Sequence, residues 1–178
     1  MAKINGIEYK TLLVGEGSNA PNAPEIQWGG LYLNGVKLAT VLYERNIPDC
    51  QPATQLFMMY GYSEKALRAA LAEQWGEHYT PADLVSEIKW LEEIEKEFKR
   101  HMNQTNGGMI VLNYDNSQVN MGIPAQFAEA TDEEIMAVLE SKIRSSERMY
   151  GPLQSYLIFH KPQDFCRGTD FTLEQLAE

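Results

Sequence analysis

The chain has 178 residues, 44% hydrophobic and 22% charged, which is the length and composition of an ordinary globular protein expected to form one domain over 1–178. Its formal net charge is −10 and no segment is basic, which argues against direct nucleic-acid binding and against anionic membrane surfaces. No run approaches the ~18 apolar residues of a membrane span. The start shows no apolar leader, and the two cysteines, Cys50 and Cys166, lack a CxxC spacing, so a cytoplasmic protein with free thiols is expected.

The first strand is expected over 7–14, followed by a Gly- and Pro-rich loop, 15–24. Asn34-Gly35 then lies between two β-type runs. Both central positions of a type I′ turn need φ > 0, which Asn-Gly supplies, so a hairpin is expected. Its register sets Leu33 opposite Val36 and Leu31 opposite Leu38 on one face, with Tyr32 and Lys37 on the other. Residues 53–62 fit a buried strand or a short helix equally well. Ser63 suits the N-cap of a helix running to Gly76, and a second helix covers 81–102. Asn106-Gly107-Gly108 closes that region. Strands follow at 109–114 and, more weakly, 118–121. A third helix covers 132–149, with Gly151-Pro152 as its stop; then come a strand over 153–161 and a short helix after Thr172. The fold class is therefore α+β: an antiparallel sheet with an N-terminal hairpin, covered on one face by two or three long helices.

Three segments share one spacing. Thr80-Pro81-Ala82-Asp83, Thr131-Asp132-Glu133-Glu134 and Thr172-Leu173-Glu174-Gln175 each place Thr three residues before an acceptor side chain. This is the pattern of a capping box, in which the Thr oxygen takes a backbone N–H and the later side chain reaches back. The first segment also contains His78-Tyr79-Thr80, which resembles one of the two His-x-Thr/Ser motifs of the two-histidine phosphoesterases. The resemblance covers three residues. The second motif has no counterpart, because His160 is followed by Lys161-Pro162. Capping explains Thr80 without catalysis.

Other constellations each admit a plain structural explanation beside a chemical one. Gly15-Glu16-Gly17-Ser18 follows a strand and could offer N–H groups to a nucleotide or small anion, but it lacks the Lys and the helix of a phosphate-binding loop. His160 and Cys166 lie six residues apart, near Asp164, and could form a nucleophilic pair. Glu93, Glu97 and His101 align on one helical stripe beside Lys96 and Arg100, as a solvated face would. Two charges fall within apolar arcs. Glu95 lies among Leu84, Ile88, Leu91, Phe98 and Met102, and Lys142 lies among Ile135, Val138, Leu139 and Met149. Release of both to water is the simpler expectation; a direct buried pair is the sharper one.

No set of nucleophile, base and oxyanion donors emerges, so the sequence points to a non-enzymatic, protein-binding module without metal or cofactor. A partner with a basic surface suits the charge, an inhibitor covering a nucleic-acid-binding surface being one version. Glu93, Glu97, Glu133, Glu134 and Glu140 are the candidate contact residues. The alternatives are a small hydrolase or phosphoesterase using His78 or His160, and a sheet-lined pocket for a nucleotide or other small anion; Cys166 is the remaining candidate catalytic residue.

Overall fold

The structure is a computed structural model that describes residues 1–15, 25–45 and 52–178. In chain order its main elements are β1 (Lys3–Ile4), β2 (Ile7–Val14), β3 (Glu25–Leu33), β4 (Val36–Arg45), β5 (Pro52–Met58), α1 (Glu64–Trp75), α2 (Pro81–Gln104), β6 (Asn106–Tyr114), β7 (Gln118–Pro124), α3 (Asp132–Tyr150), β8 (Leu153–Phe159) and β9 (Cys166–Arg167). The fold is α+β, with two sheets. Its contacts divide it into two compact units: Met1–Glu92 with Cys166–Glu178, and Glu93–Phe165.

The first unit holds a six-stranded sheet of order β5-β4-β3-β2-β1-β9, antiparallel except where β1 meets β9. Asn34 (φ 50°) and Gly35 (φ 81°) form the expected turn, with Leu33 opposite Val36 and Tyr32 opposite Lys37. The next pair departs from expectation. A bulge beyond Tyr32 sets Ala39, not Leu38, opposite Leu31. An extra residue in one strand shifts every later side chain by one place. Leu31, Leu33 and Leu38 are fully buried, whereas Val36 at the turn stays 39% exposed. Asn5 (φ 47°) and Gly6 (φ 78°) repeat the same turn between Ile4 and Ile7. That hairpin uses the same Asn-Gly signal.

One face of this sheet carries Tyr9, Gln27, Gly29, Leu31, Ala39, Val41 and Tyr43 in register. The first half of α2 lies on it: Tyr43 Oη and Ser86 Oγ are 3.0 Å apart, and Lys89 Nζ donates to Gln27 Oε1 at 2.6 Å. Leu84, Val85, Ile88 and Leu91 of α2 and Leu67 and Leu71 of α1 are buried. Gly29 is required at its place, because the Tyr9 ring occupies the space a Cβ would fill. Residues 53–62, ambiguous in the sequence, resolve as β5 over Pro52–Met58.

The second unit holds a three-stranded antiparallel sheet of order β7-β6-β8. On one face Ile110, Leu112 and Tyr114 pack with Ile135, Leu139 and Ile143 of α3. The other face faces the second half of α2. There Asn120 Nδ2 donates to Glu97 Oε2 at 2.8 Å, and a Cβ on Gly122 would stand 3.1 Å from His101 Nδ1. Phe165 stacks on Phe159 (4.4 Å between centroids) and meets Phe98 edge-on (5.2 Å). Helices therefore cover both faces, and Met109, Ile110, Val111 and Leu112 are all fully buried.

The capping boxes form as the spacing requires. Thr80 N–H donates to Asp83 (2.7 Å), and Asp83 N–H donates to Thr80 Oγ1 (3.3 Å). Thr131 with Glu134, and Thr172 with Gln175, show the same exchange. The last box opens one 3-10 turn, Glu174–Leu176, rather than an α-helix. Ser63 caps α1 through Ala66 N–H, and Gly76 (φ 94°) ends it.

The two core-facing charges separate. Glu95 is buried, 6% exposed, and meets Lys99 at 3.1 Å one turn along its own helix. Lys142 is exposed. The buried stripe of α3 is Ile135, Leu139 and Ile143, while Val138 and Met149 are 50% and 73% exposed. The apolar arc counted from the sequence was thus centred one row too far round, and Lys142 belongs to the exposed row. No helix among the described residues is long and apolar enough to cross a membrane.

Candidate functional site

The second face of the six-stranded sheet is built from alternate residues of β2 to β5. Register sets Leu13, Trp28, Leu42 and Gln55 in one row, and Lys10, Gly30, Thr40 and Phe57 in the next. Glu8 and Tyr32 follow. A bulge between Thr11 and Leu13 returns Leu13 to this face beside Trp28. Trp28 and Phe57 reach across β4 to a centroid distance of 5.9 Å. Leu13 is 62% exposed and Phe57 45%, with Trp28 and Leu42 half-buried. An antiparallel sheet with one solvated face normally shows polar side chains there. Here aromatic and aliphatic groups form a contiguous surface.

Polar groups border it. Glu8, 6% exposed, accepts Lys3 at 2.9 Å and lies 3.6 Å from Lys10. The hydrogen bond to Glu8 holds the Lys3 ammonium above its ordinary pKa, against the opposing effect of burial. Lys10 Nζ also stands 4.6 Å from the centre of the Tyr32 ring, a cation–π distance. Tyr32 lies across Gly30, where a Cβ would come within 2.7 Å of the ring.

The residues singled out from the sequence are dispersed. His78 sits exposed in the turn before α2. Its neighbour Tyr79 is structural: its hydroxyl donates to Glu87 Oε2 at 2.7 Å, and Arg167 meets the other Glu87 oxygen at 3.0 Å. Burial first, and the Glu87 carboxylate second, push the Tyr79 phenol well above the usual tyrosine range. His160 Nδ1 lies 3.1 Å from the Gly107 carbonyl, and its backbone N–H donates to Asp164 at 2.7 Å. Cys166 is exposed, with Sγ 4.0 Å from the Met1 carbonyl. Asp164 thus closes a turn, its carboxylate taking the His160 and Lys161 N–H groups. The Gly15–Ser18 loop beyond Gly15, and Cys50, lie outside the described residues.

Three of the candidate carboxylates pair with a basic residue of their own helix, and Glu97 also accepts from Asn120 of β7. Glu93 pairs with Lys96 (2.6 Å), Glu97 with Arg100 (3.5 Å), and Glu140 with Arg144. Glu134 closes the Thr131 box, and Glu133 is exposed beside it. No group of three or more His, Cys, Asp or Glu with metal-binding geometry occurs among the described residues. An open groove of about 520 Å³ runs beside Glu134, lined by Phe127, Glu129, Ala130 and Val138.

The sequence reading missed the apolar sheet face. Its signal was present in part, since Trp28, Leu42 and Phe57 recur on strand-like runs, but only the bulge brings Leu13 beside them. No family model, curated protein or solved structure matches the chain.

Proposed function

We propose that this protein is a non-enzymatic protein-binding module whose contact surface is the outer face of the six-stranded sheet. The observation that carries this reading is the contiguous patch of Leu13, Trp28, Leu42 and Phe57, apolar where a solvated sheet face is ordinarily polar. Aromatic groups of this kind supply large contact area at low conformational cost and are enriched at the centres of interfaces. The net charge of −10 favours a partner with a basic surface, approached by long-range attraction and then seated on the apolar patch. A protein that covers a basic, nucleic-acid-binding surface of its partner fits both features.

The test is capture of partners from the native host with the wild-type chain and with Leu13→Asp/Phe57→Asp. Both side chains are exposed, so the melting transition should be retained. The same partner should be recovered by the wild type and by an Arg144→Ala control, and lost with the double variant. Equal recovery with the double variant would remove the sheet face from the interface.

A further inference from the structure

The six-stranded sheet ends on β5, whose outer side pairs with no strand among the described residues. Sheet edges in soluble proteins are usually protected by lysines, inward charges, bulges or proline. The sequence of β5, Pro-Ala-Thr-Gln-Leu-Phe-Met, holds one proline at its start and no charge. We propose that β5 pairs antiparallel with β5 of a second copy of this chain, joining two sheets into one across a two-fold axis at Leu56.

The hydrogen-bond phase fixes the parity of the register, and the ends of β5 favour an axis at Leu56. Met59 N–H donates to the Leu38 carbonyl at 2.8 Å, one step beyond the Ala39–Met58 pair. Hydrogen-bonded and non-bonded pairs alternate along an antiparallel ladder. Gln55 and Phe57 therefore turn their backbone groups toward β4, and Thr54, Leu56 and Met58 turn theirs outward. A two-fold axis at Leu56 sets Thr54 opposite Met58 and Leu56 opposite its own copy. All three outward N–H groups are then used, and Pro52, which has none, lies beyond the paired segment. The opposite parity would leave inward-turned groups facing each other. Shifting the axis to Gln55 keeps the parity but brings Pro52 into the ladder.

A second copy fits this edge in backbone and in side-chain charge. The outward groups of Thr54, Leu56 and Met58 are their own antiparallel complement about Leu56, and no charged side chain lies in the paired segment, so the −10 of each chain, which opposes self-association elsewhere on the surface, sets no like charges opposite each other here. The interface is isologous and closes at two. It also brings Phe57 of each chain opposite Gln55 of the other, which extends the apolar sheet face across the axis.

Sedimentation of the full chain over a concentration series should give twice the chain mass, falling to the monomer on dilution. Gln55→Lys/Phe57→Lys sets lysines directly opposite lysines, which destabilises strand pairing, and should give only monomer with the thermal transition retained. Independently, Leu56→Cys in a Cys50→Ser/Cys166→Ser background should form an intermolecular disulfide under mild oxidation. The paired Cα atoms would stand about 5.5 Å apart, within disulfide range. Thr54→Cys in that background should not link. A wild-type chain that stays monomeric at every concentration overturns the proposal. So does a dimer indifferent to the paired lysines, or linkage at Thr54 in preference to Leu56.

Discussion

In β6, at the centre of the small sheet, four consecutive residues from Met109 to Leu112 are fully buried; in β4 of the large sheet, burial alternates, with Ala39, Val41 and Tyr43 buried and Thr40 and Leu42 half-exposed. The cause is coverage. The second half of α2 and α3 lie on opposite faces of the small sheet, so both sets of side chains need partners, and a continuous apolar run is the consequence. The large sheet buries the face under the first half of α2. What distinguishes it is that polarity fails to alternate with burial: Trp28, Leu42 and Phe57 occupy the outward positions. Apolar residues inside a covered sheet are explained by the fold. Those on the outer face are not, and the proposed binding function rests on them.

The largest expected effect separates the two sheets by stability. Leu112→Ala removes a fully buried side chain from the cluster under α3 and should cost about 2–5 kcal/mol in urea unfolding. Leu13→Ala, on the outer face, should change stability by no more than about 0.5 kcal/mol. Comparable losses would mean that the outer face belongs to a core, and the binding reading would fail with it.

Local chemistry in the sequence was legible where a structure closes over a few residues. The Thr boxes, the Ser63 cap, the Gly76 stop and the Asn34-Gly35 turn each depend on neighbours three or four positions away, and each formed. What was not legible depends on distant closure. The strands over 109–114, 118–121 and 153–161 were anticipated. Their separation into a sheet of their own was not, because β8 reaches β6 only after α3 has crossed back. The two-residue β9 has no periodicity to read; it is defined by pairing with Lys3 and Ile4 at the other end of the chain. For the site, pattern led toward histidines that lie apart from one another and carboxylates mostly paired within their own helix. The apolar face is a property of register between four strands, and a bulge in one of them completes it.

Adjacent glycines in β3 sharpen the contrast on a single backbone. Gly29 faces the covered side, where Tyr9 is 1% exposed and fills the space of a Cβ. Gly30 faces outward beneath the half-exposed Tyr32 ring. Gly29→Ala should cost about 1–3 kcal/mol, because Tyr9 must move within a packed interior. Gly30→Ala should cost less than about 1 kcal/mol, since Tyr32 can swing toward solvent. Equal losses, measured by thermal or urea melts, would make the two faces equivalent.

The caps should matter similarly in both units. Thr80→Ala at the start of α2 and Thr131→Ala at the start of α3 should each cost about 1 kcal/mol. Thr172→Ala should cost less, because its box opens a single 3-10 turn. Melts of the Thr80 and Thr131 variants that overlay the wild type would remove capping as the reason for the shared spacing.

The smallest effects concern the two charges that share the second unit and differ in burial. Burial works against the Glu95 carboxylate, and the hydrogen bond from Lys99 is among the interactions favouring its charge; the balance holds its pKa below the ordinary glutamate value. A depressed folded-state pKa means that the charged form stabilises the fold above the unfolded-state pKa, and that this contribution is lost as pH falls through the folded one. Glu95→Gln should therefore cost about 0.5–1 kcal/mol at neutral pH. That is more than the ~0.3–0.5 kcal/mol of a fully exposed i,i+4 pair, because one partner is buried. The gap to wild type should close on the acid side of the ordinary glutamate range. Lys142→Met should stay within about 0.5 kcal/mol at neutral pH, since that side chain is exposed. The double variant should equal the sum of the singles. Coupling above about 0.5 kcal/mol would place the two groups in one network after all. A Glu95→Gln loss that does not change with pH would assign the residue to packing rather than charge.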